Sequence, residues 1–132
     1  ILNLHTEAGK KRLIGNMLFE CDFLKDNGFD GLVAGFENHS GRTYLGEGVS
    51  PIGKVLRGYG NNGEDGFEGA VYKNVFCSYS HGSLLPKNPR LADHILVTAL
   101  KRKYPGFRSL PELDDAVEEK ARLYMINRLM KR

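Results

Sequence analysis

A chain of 132 residues, 41% hydrophobic and 27% charged, has the length and composition of one globular domain with a single core. No apolar run approaches the roughly 20 residues of a membrane-spanning helix, and the first residues lack the marks of a signal peptide. The two cysteines are too few for a disulfide framework, so we expect a cytoplasmic protein. The net charge of +3 comes from the C-terminal quarter, and no groove-reading motif accompanies it, which argues against nucleic-acid binding.

The first third of the chain predicts a β-hairpin. Residues 1–5 are interpreted as the end of a short strand, and residues 6–11 as a polar turn. Alternating apolar residues predict strands over 12–21 and 29–37, and Asp-Asn-Gly at 26–28 between them is a tight-turn signal.

The middle third is richer in glycine. We predict a loop over 40–52, a short strand over 54–59 and a flexible loop over 58–69. This glycine-rich loop lacks the Gly-Lys-Ser/Thr ending of a phosphate-binding loop, and its acidic residues would repel an anion. Residues 72–80 are rich in β-branched and aromatic side chains, so they predict a strand that ends at His81.

Two helices are predicted after His81. The first runs from Pro89 to about Lys103, with Asn88 as its capping residue. The second runs from about Glu112 to Leu129. We expect four apolar residues of this second segment to pack in the core: Leu113, Val117, Leu123 and Tyr124. Strands followed by helices indicate an α/β or α+β domain.

His81 is the strongest candidate for a functional residue. A histidine between a strand and a helix stands where α/β enzymes often hold a general base, because strand ends place side chains rigidly. From spacing alone, a histidine in a surface loop is the more common explanation.

Four segments, in order, resemble one family. They are Gly35-Phe-Glu-Asn-His-Ser-Gly-Arg-Thr-Tyr44, Gly58-Tyr-Gly-Asn-Asn-Gly-Glu-Asp65, Glu68-Gly-Ala-Val-Tyr-Lys-Asn74 and Tyr79-Ser-His-Gly-Ser-Leu-Leu-Pro-Lys-Asn-Pro89. Together they are similar to CobB/CobQ-type class I glutamine amidotransferases, and within them to the GatD-type subunits of lipid II isoglutaminyl synthase. The resemblance implies the C-terminal part of a flavodoxin-like α/β domain, with a mixed sheet and C-terminal helices, over residues 1–132.

The resemblance also implies roles. His81 would be the catalytic histidine that takes the proton of a nucleophilic thiol. Ser83 stands where many relatives carry the carboxylate that orients the ring. In GatD-type complexes that acid comes from the partner, a Mur-ligase-like, MurT-type subunit that uses ATP. We therefore expect glutamine as substrate and no cofactor or metal on this chain.

The nucleophilic cysteine of the family is expected upstream of the matched region, so the chain alone is predicted to be inactive. On a continuous strand, Cys77 would lie roughly 13 Å from His81, too far for a hydrogen bond. Cys77 and Cys21 are both interpreted as small, buried or half-buried thiols.

By resemblance, Arg12 would hold the α-carboxylate of glutamine, although a solvated arginine at a strand end is an equal alternative. Glu37, Asn38 and His39 either line the pocket or fix a loop, and a structural role is favoured for His39. Two alternative functions are open: the glutaminase domain of a cobyric-acid-type synthase, and a non-catalytic module that binds a partner. Exposed sheet edges would also allow a homodimer.

Overall fold

The computed structural model describes residues 2–26 and 28–131. The predictions for Ile1 and for Asn27 in the tight turn lie outside the described residues. The strands are β1 (Leu4–Glu20), β2 (Leu32–Leu45), β3 (Gly53–Arg57), β4 (Phe67–Glu68), β5 (Ala70–Tyr72), β6 (Val75–Cys77) and β7 (Ser80–His81). The helices are a 3-10 turn (Asp22–Leu24), α1 (Leu84–Lys87), α2 (Pro89–Lys103) and α3 (Ala116–Met130).

Five strands form one sheet in the order β4-β3-β1-β2-β7, and β5 and β6 form a separate ribbon. The pairings in both sheets are antiparallel. The predicted hairpin is confirmed as β1 and β2, and the combination of strands with C-terminal helices is confirmed as well. Asn16 lies opposite Phe36, and Phe36 lies opposite His81, so three strands run side by side at this point.

The hairpin is longer than predicted. The expected turn over 6–11 and the first part of the expected loop over 40–52 are wrong, because β1 and β2 pair from Leu4↔Leu45 to Glu20↔Leu32. The register shifts between Ala8 and Leu13, where the Arg42 guanidinium donates to the carbonyls of Ser40, Gly41 and Lys11. These bonds satisfy backbone groups that the irregular pairing would leave free, so the polar sequence stays in strands.

The predicted strand over 72–80 is also wrong. A turn at Lys73, whose φ is +54°, reverses the chain after Tyr72, and β6 returns along β5. The chain then passes to β7, which joins the large sheet instead of the ribbon. A run of β-favouring residues predicts extended backbone well but does not reveal where the backbone folds back on itself.

The two faces of the large sheet are covered differently. On one, Met17, Phe19 and Val33 pack with Leu91 and Ile52 in the main core; we call it the buried face. On the other, Leu18 and Ala34 pack beneath Ile126 and Leu129 of α3. Toward the middle of the hairpin this second face is uncovered, since Ile14 is 53% exposed and Arg12 and Asn16 are exposed too. We call this uncovered part the open face.

The predictions for the two helices are partly right. The predicted bounds of α2 are confirmed, but the Asn88 side chain forms no cap hydrogen bond. The second predicted helix begins at Ala116 rather than near Glu112. Its expected core residues are wrong, because Leu113, Val117, Leu123 and Tyr124 are all exposed. No helix in the described ranges is long and apolar enough to cross a membrane.

The buried side of α3 includes a charged residue. Arg122 is 4% exposed and donates to Asp30, Glu119 and the Leu32 carbonyl. Its guanidinium also lies 4.5 Å from the centre of the Phe29 ring. These partners orient the helix so that Ile126 and Leu129, rather than the apolar residues seen in the sequence pattern, face the sheet.

Candidate active site

His81 ends β7 and is exposed. Its ring meets the Phe36 ring edge-on, with 5.5 Å between the ring centroids. Residues paired across strands share a face, so His81 stands with Phe36 and Asn16 on the open face. Among the described residues, no carboxylate oxygen lies within 4.0 Å of a His81 ring nitrogen. An exposed imidazole braced by one aromatic ring has room for an incoming thiol.

The backbone turns sharply directly after His81. Gly82 has a φ of +69°, and Ser83 has φ +65° and ψ +43°, a left-handed conformation that is unusual for serine. The single-turn helix α1 begins there, with the Lys87 N–H donating to the Ser83 carbonyl. Left-handed backbone at a non-glycine residue costs about 1 kcal/mol and recurs at functional sites. Ser83 is exposed and cannot supply the missing acid.

Two buried polar side chains hold the segments on either side of His81. Glu68 accepts hydrogen bonds from Ser78, Tyr79 and Ser80, just before the histidine. Asn88 donates to the carbonyls of Leu84 and Ala34 and accepts from the Ala34 N–H. Asn88 therefore ties the turn after His81 to β2, instead of capping α2.

Arg12 and Asn38 also belong to the open face. Strand alternation from Leu13, which pairs with His39, places Arg12 on the same side as Ile14 and Asn16. Arg12 is exposed, and its side chain forms no hydrogen bond or ion pair with the described residues. Arg12 lies four residues along β1 from Asn16, a distance of about 13 Å. Asn16 in turn lies two strands away from His81, about 10 Å across the sheet. A bound glutamine and the long Arg12 side chain would have to span that separation together.

Glu37 lies on the buried face and does not share a surface with His81. It is fully buried, and its two carboxylate oxygens accept the N–H groups of Tyr59 and Gly60 at 2.7 Å and 3.0 Å. Those groups belong to the glycine-rich connection between β3 and β4. These contacts are the ones expected of a residue that fixes a loop. The loop is held by hydrogen bonds rather than left flexible, since Asn61 and Asn62 are also buried and bonded.

His39 is 8% exposed and stacks on Tyr79, with 3.7 Å between the ring centroids. Its Nδ1 lies 2.9 Å from the Gly41 carbonyl, which sets Nδ1–H as the donor. Its Nε2 lies 3.5 Å from a Glu37 oxygen. His39 is thus enclosed between Tyr79, Gly41 and Glu37 on the buried face.

The two cysteines are thiols of the kind expected. Cys21 is fully buried, and this burial, with Glu68 nearby, raises its pKa to about 12. A thiol with such a pKa is not ionised at neutral pH and is a poor nucleophile. Cys77 is half-buried and pairs with Ala70 in the ribbon, so the continuous strand assumed for the 13 Å estimate does not exist. It lines a cavity of about 250 Å³ to which His81 does not contribute.

Residues 1–89 match the model of the CobB/CobQ-like glutamine amidotransferase domain. The chain belongs to this family. As a CobB/CobQ-like domain it is 41% identical, over 97% of its length, to the lipid II isoglutaminyl synthase (glutamine-hydrolyzing) subunit GatD of Staphylococcus aureus strain N315, covering 49% of that protein.

Two further relatives agree with the family. The GatD subunit of Streptococcus pneumoniae strain R6 is 47% identical over 69% of the chain, covering 35% of that protein. A probable cobyric acid synthase of Methanothermobacter thermautotrophicus is 38% identical over 89% of the chain, covering 21% of that protein. The chain thus spans about half or less of each curated relative.

The sequence did not reveal the hydrogen bonds by which Glu68 and Asn88 hold the segments around His81. From composition, Glu68 counts with Glu64 and Asp65 among the acidic residues that would repel an anion, whereas in the structure it is fully buried. Its place in the conspicuous Glu68-Gly-Ala segment was the only signal, and composition does not separate a buried acid from a solvated one. Asn88 was singled out correctly as a structural residue, but for the wrong hydrogen bonds.

Proposed function

We propose that this chain is part of a glutamine amidotransferase subunit that hydrolyses glutamine and passes ammonia to a Mur-ligase-like, MurT-type partner. The partner would use ATP to amidate the D-glutamate carboxyl of the lipid II stem peptide. The observation that carries the proposal is that His81 is exposed on the open face. The chain around it is 41% identical to a GatD subunit over 97% of the chain's own length.

The chemistry assigned to His81 is proton transfer in both directions. A cysteine thiol from a segment outside residues 2–131 gives its proton to the imidazole, and the sulfur attacks the side-chain amide carbon of glutamine. The tetrahedral intermediate then collapses. The amide nitrogen takes the proton from the imidazolium and leaves as ammonia, with a thioester left behind. Water hydrolyses the thioester to glutamate and regenerates the thiol. Arg12 would bind the substrate's α-carboxylate.

The ring of His81 needs an orienting acid that the described residues do not provide, and we assign it to the partner. The imidazole would then reach its working orientation only in the complex, which couples glutamine hydrolysis to assembly. We further propose that residues 1–132 are the C-terminal portion of one amidotransferase domain, inactive alone and cytoplasmic, requiring no cofactor of its own. An edge of the large sheet could also pair with a second copy of this chain and so form a homodimer.

The decisive test uses the whole polypeptide produced in its host and the proteins that copurify with it. We expect a Mur-ligase-like subunit to copurify and the complex to amidate lipid II with glutamine and ATP, detected by mass spectrometry of the stem peptide. Copurified complex that amidates only cobyrinic-type substrates would favour the synthase alternative. A preparation that binds a partner but releases no ammonia from glutamine would favour the non-catalytic module. Ammonia release by the isolated 132-residue chain would contradict its predicted inactivity.

A further inference from the structure

A buried carboxylate organises the three residues that lead into His81. Glu68 is the last residue of β4 and is fully buried. One of its oxygens, Oε1, accepts the Ser78 hydroxyl at 2.6 Å, the Tyr79 N–H at 2.8 Å and the Ser80 N–H at 3.2 Å. Three donors from consecutive residues converge on one oxygen, so the position of that oxygen fixes the path of the backbone.

Ser80 is constrained from a second side. Its side chain lies over Gly35 of β2, where a Cβ atom on residue 35 would overlap the Ser80 hydroxyl. The Ser80 N–H also donates to the Ser78 hydroxyl at 2.8 Å. The residue directly before His81 therefore sits between Glu68 and β2 with little freedom to shift.

Glu68 itself is rigidly placed. The next residue, Gly69, is fixed by Asn61, whose side chain accepts the Gly69 N–H at 2.7 Å and donates to the Gly69 carbonyl at 2.9 Å. The Glu68 carbonyl accepts the Ile52 N–H at 2.9 Å. The backbone at Glu68 is therefore fixed to the neighbouring strands, and the residues that bind its carboxylate are fixed relative to the same strands.

We propose that Glu68 is a positioning residue for proton transfer at His81, because it sets the backbone of residues 78–80 and so the place of the imidazole on the open face. The inference rests on the proposed function. Ser80 pairs with Glu37 and so belongs to the buried face, whereas His81 points to the open face. Glu68 binds the backbone N–H groups of Tyr79 and Ser80, so it acts on His81 through the backbone and does not touch substrate.

A positioning role and a purely structural role predict different kinetics. If Glu68 only stabilised the fold, its variants would lose stability while each folded molecule kept the wild-type kcat. If it positions His81, a folded variant loses kcat because the imidazole is displaced from the reacting atoms, and displacement by about 1 Å can cost on the order of 100-fold. The KM for glutamine should change little, because Glu68 does not contact the substrate.

The test compares variants of the whole polypeptide in complex with its copurifying partner, with ammonia release from glutamine as the readout. Glu68→Ala should lower kcat by about 10- to 100-fold with KM within about 3-fold of wild type. Glu68→Gln retains a carbonyl oxygen for the three donors, so it should recover most of that loss. Glu47→Ala, at an exposed glutamate, is the matched control and should leave both constants unchanged.

Ser78→Ala is the second variant, for the case that Glu68→Ala does not fold. It removes one donor to Glu68 and one acceptor for Ser80 while leaving the carboxylate in place, and it should lower kcat by about 3- to 10-fold. A folded Glu68→Ala or Ser78→Ala protein that retains the wild-type kcat, or a rise in KM alone, would overturn the inference. If wild-type protein releases no ammonia, or His81→Ala releases it normally, the proposed function fails instead.

Discussion

The buried face and the open face of the large sheet carry different kinds of polar residue. The buried face carries Glu37, His39 and Ser80, whose polar groups are enclosed by protein. The open face carries His81, Arg12 and Asn16, all exposed. Neighbouring residues of one motif fall on opposite faces, since Glu37 and His39 point one way and Asn38 the other.

This division shows that a motif can serve a site without lying in it. Glu37 holds the glycine-rich loop and Glu68 holds the residues just before His81, yet both side chains project from the buried face of the sheet. Removing Glu37 should therefore lower stability, removing Glu68 should lower kcat through the backbone of residues 78–80, and removing a side chain of the open face should lower activity directly.

The largest stability effect is expected at Glu37. Glu37→Ala removes the acceptor for the Tyr59 and Gly60 N–H groups and leaves them unsatisfied. It should lower the free energy of unfolding by about 3 kcal/mol, measured by urea denaturation. Glu47→Ala, at an exposed carboxylate, is the control and should change it by less than about 0.5 kcal/mol. Equal effects of the two variants would break the contrast.

The two sides of α3 provide the next comparison. Ile126 is 6% exposed and packs against Leu18 and Ala34, whereas Val117 is 77% exposed. Ile126→Ala should cost about 2–3 kcal/mol of unfolding free energy, and Val117→Ala less than about 0.5 kcal/mol. Thermal unfolding of both variants measures the difference. A larger loss for Val117→Ala would mean that the sequence-based assignment of the helix face was right.

On the open face, Arg12→Ala should raise the KM for glutamine about 10-fold in the whole complex, because it removes the cation assigned to the α-carboxylate. Stability should hardly change, since the Arg12 side chain has no hydrogen-bond partner among the described residues. Lys11→Ala, next to it and also exposed, is the matched control. An unchanged KM would support the solvated alternative for Arg12.

The smallest effect concerns Cys21. Its pKa is raised from 9.0 to about 12 by burial, so the folded state binds more protons than the unfolded state between these values. Stability from this group is therefore complete below pH 9 and falls as the pH rises toward 12, by about 1 kcal/mol between pH 9 and pH 10. Cys21→Ala should remove that slope in urea titrations at the two pH values. An identical slope in both proteins would contradict the burial of the thiol.

The sequence predicted the elements whose signals are local. The hairpin, α2 and the position of His81 at a strand end follow from alternation, helical spacing and turn residues. The length of β1 and the break after Tyr72 did not follow, because Arg42 bonds at the bulge and the Lys73 turn depend on contacts between distant segments. The sequence did not show which side of α3 packs against the sheet, because Arg122, a charged residue, faces inward through its pairing with Asp30.

The most direct test of the central claim is glutamine hydrolysis by His81→Ala in the whole polypeptide with its partner. His5→Ala, an exposed histidine elsewhere on the hairpin, is the matched control. The account predicts that His81→Ala loses at least about 100-fold in kcat while its unfolding midpoint stays that of wild type, and that His5→Ala keeps full activity. Ammonia release by His81→Ala at the wild-type rate would contradict it.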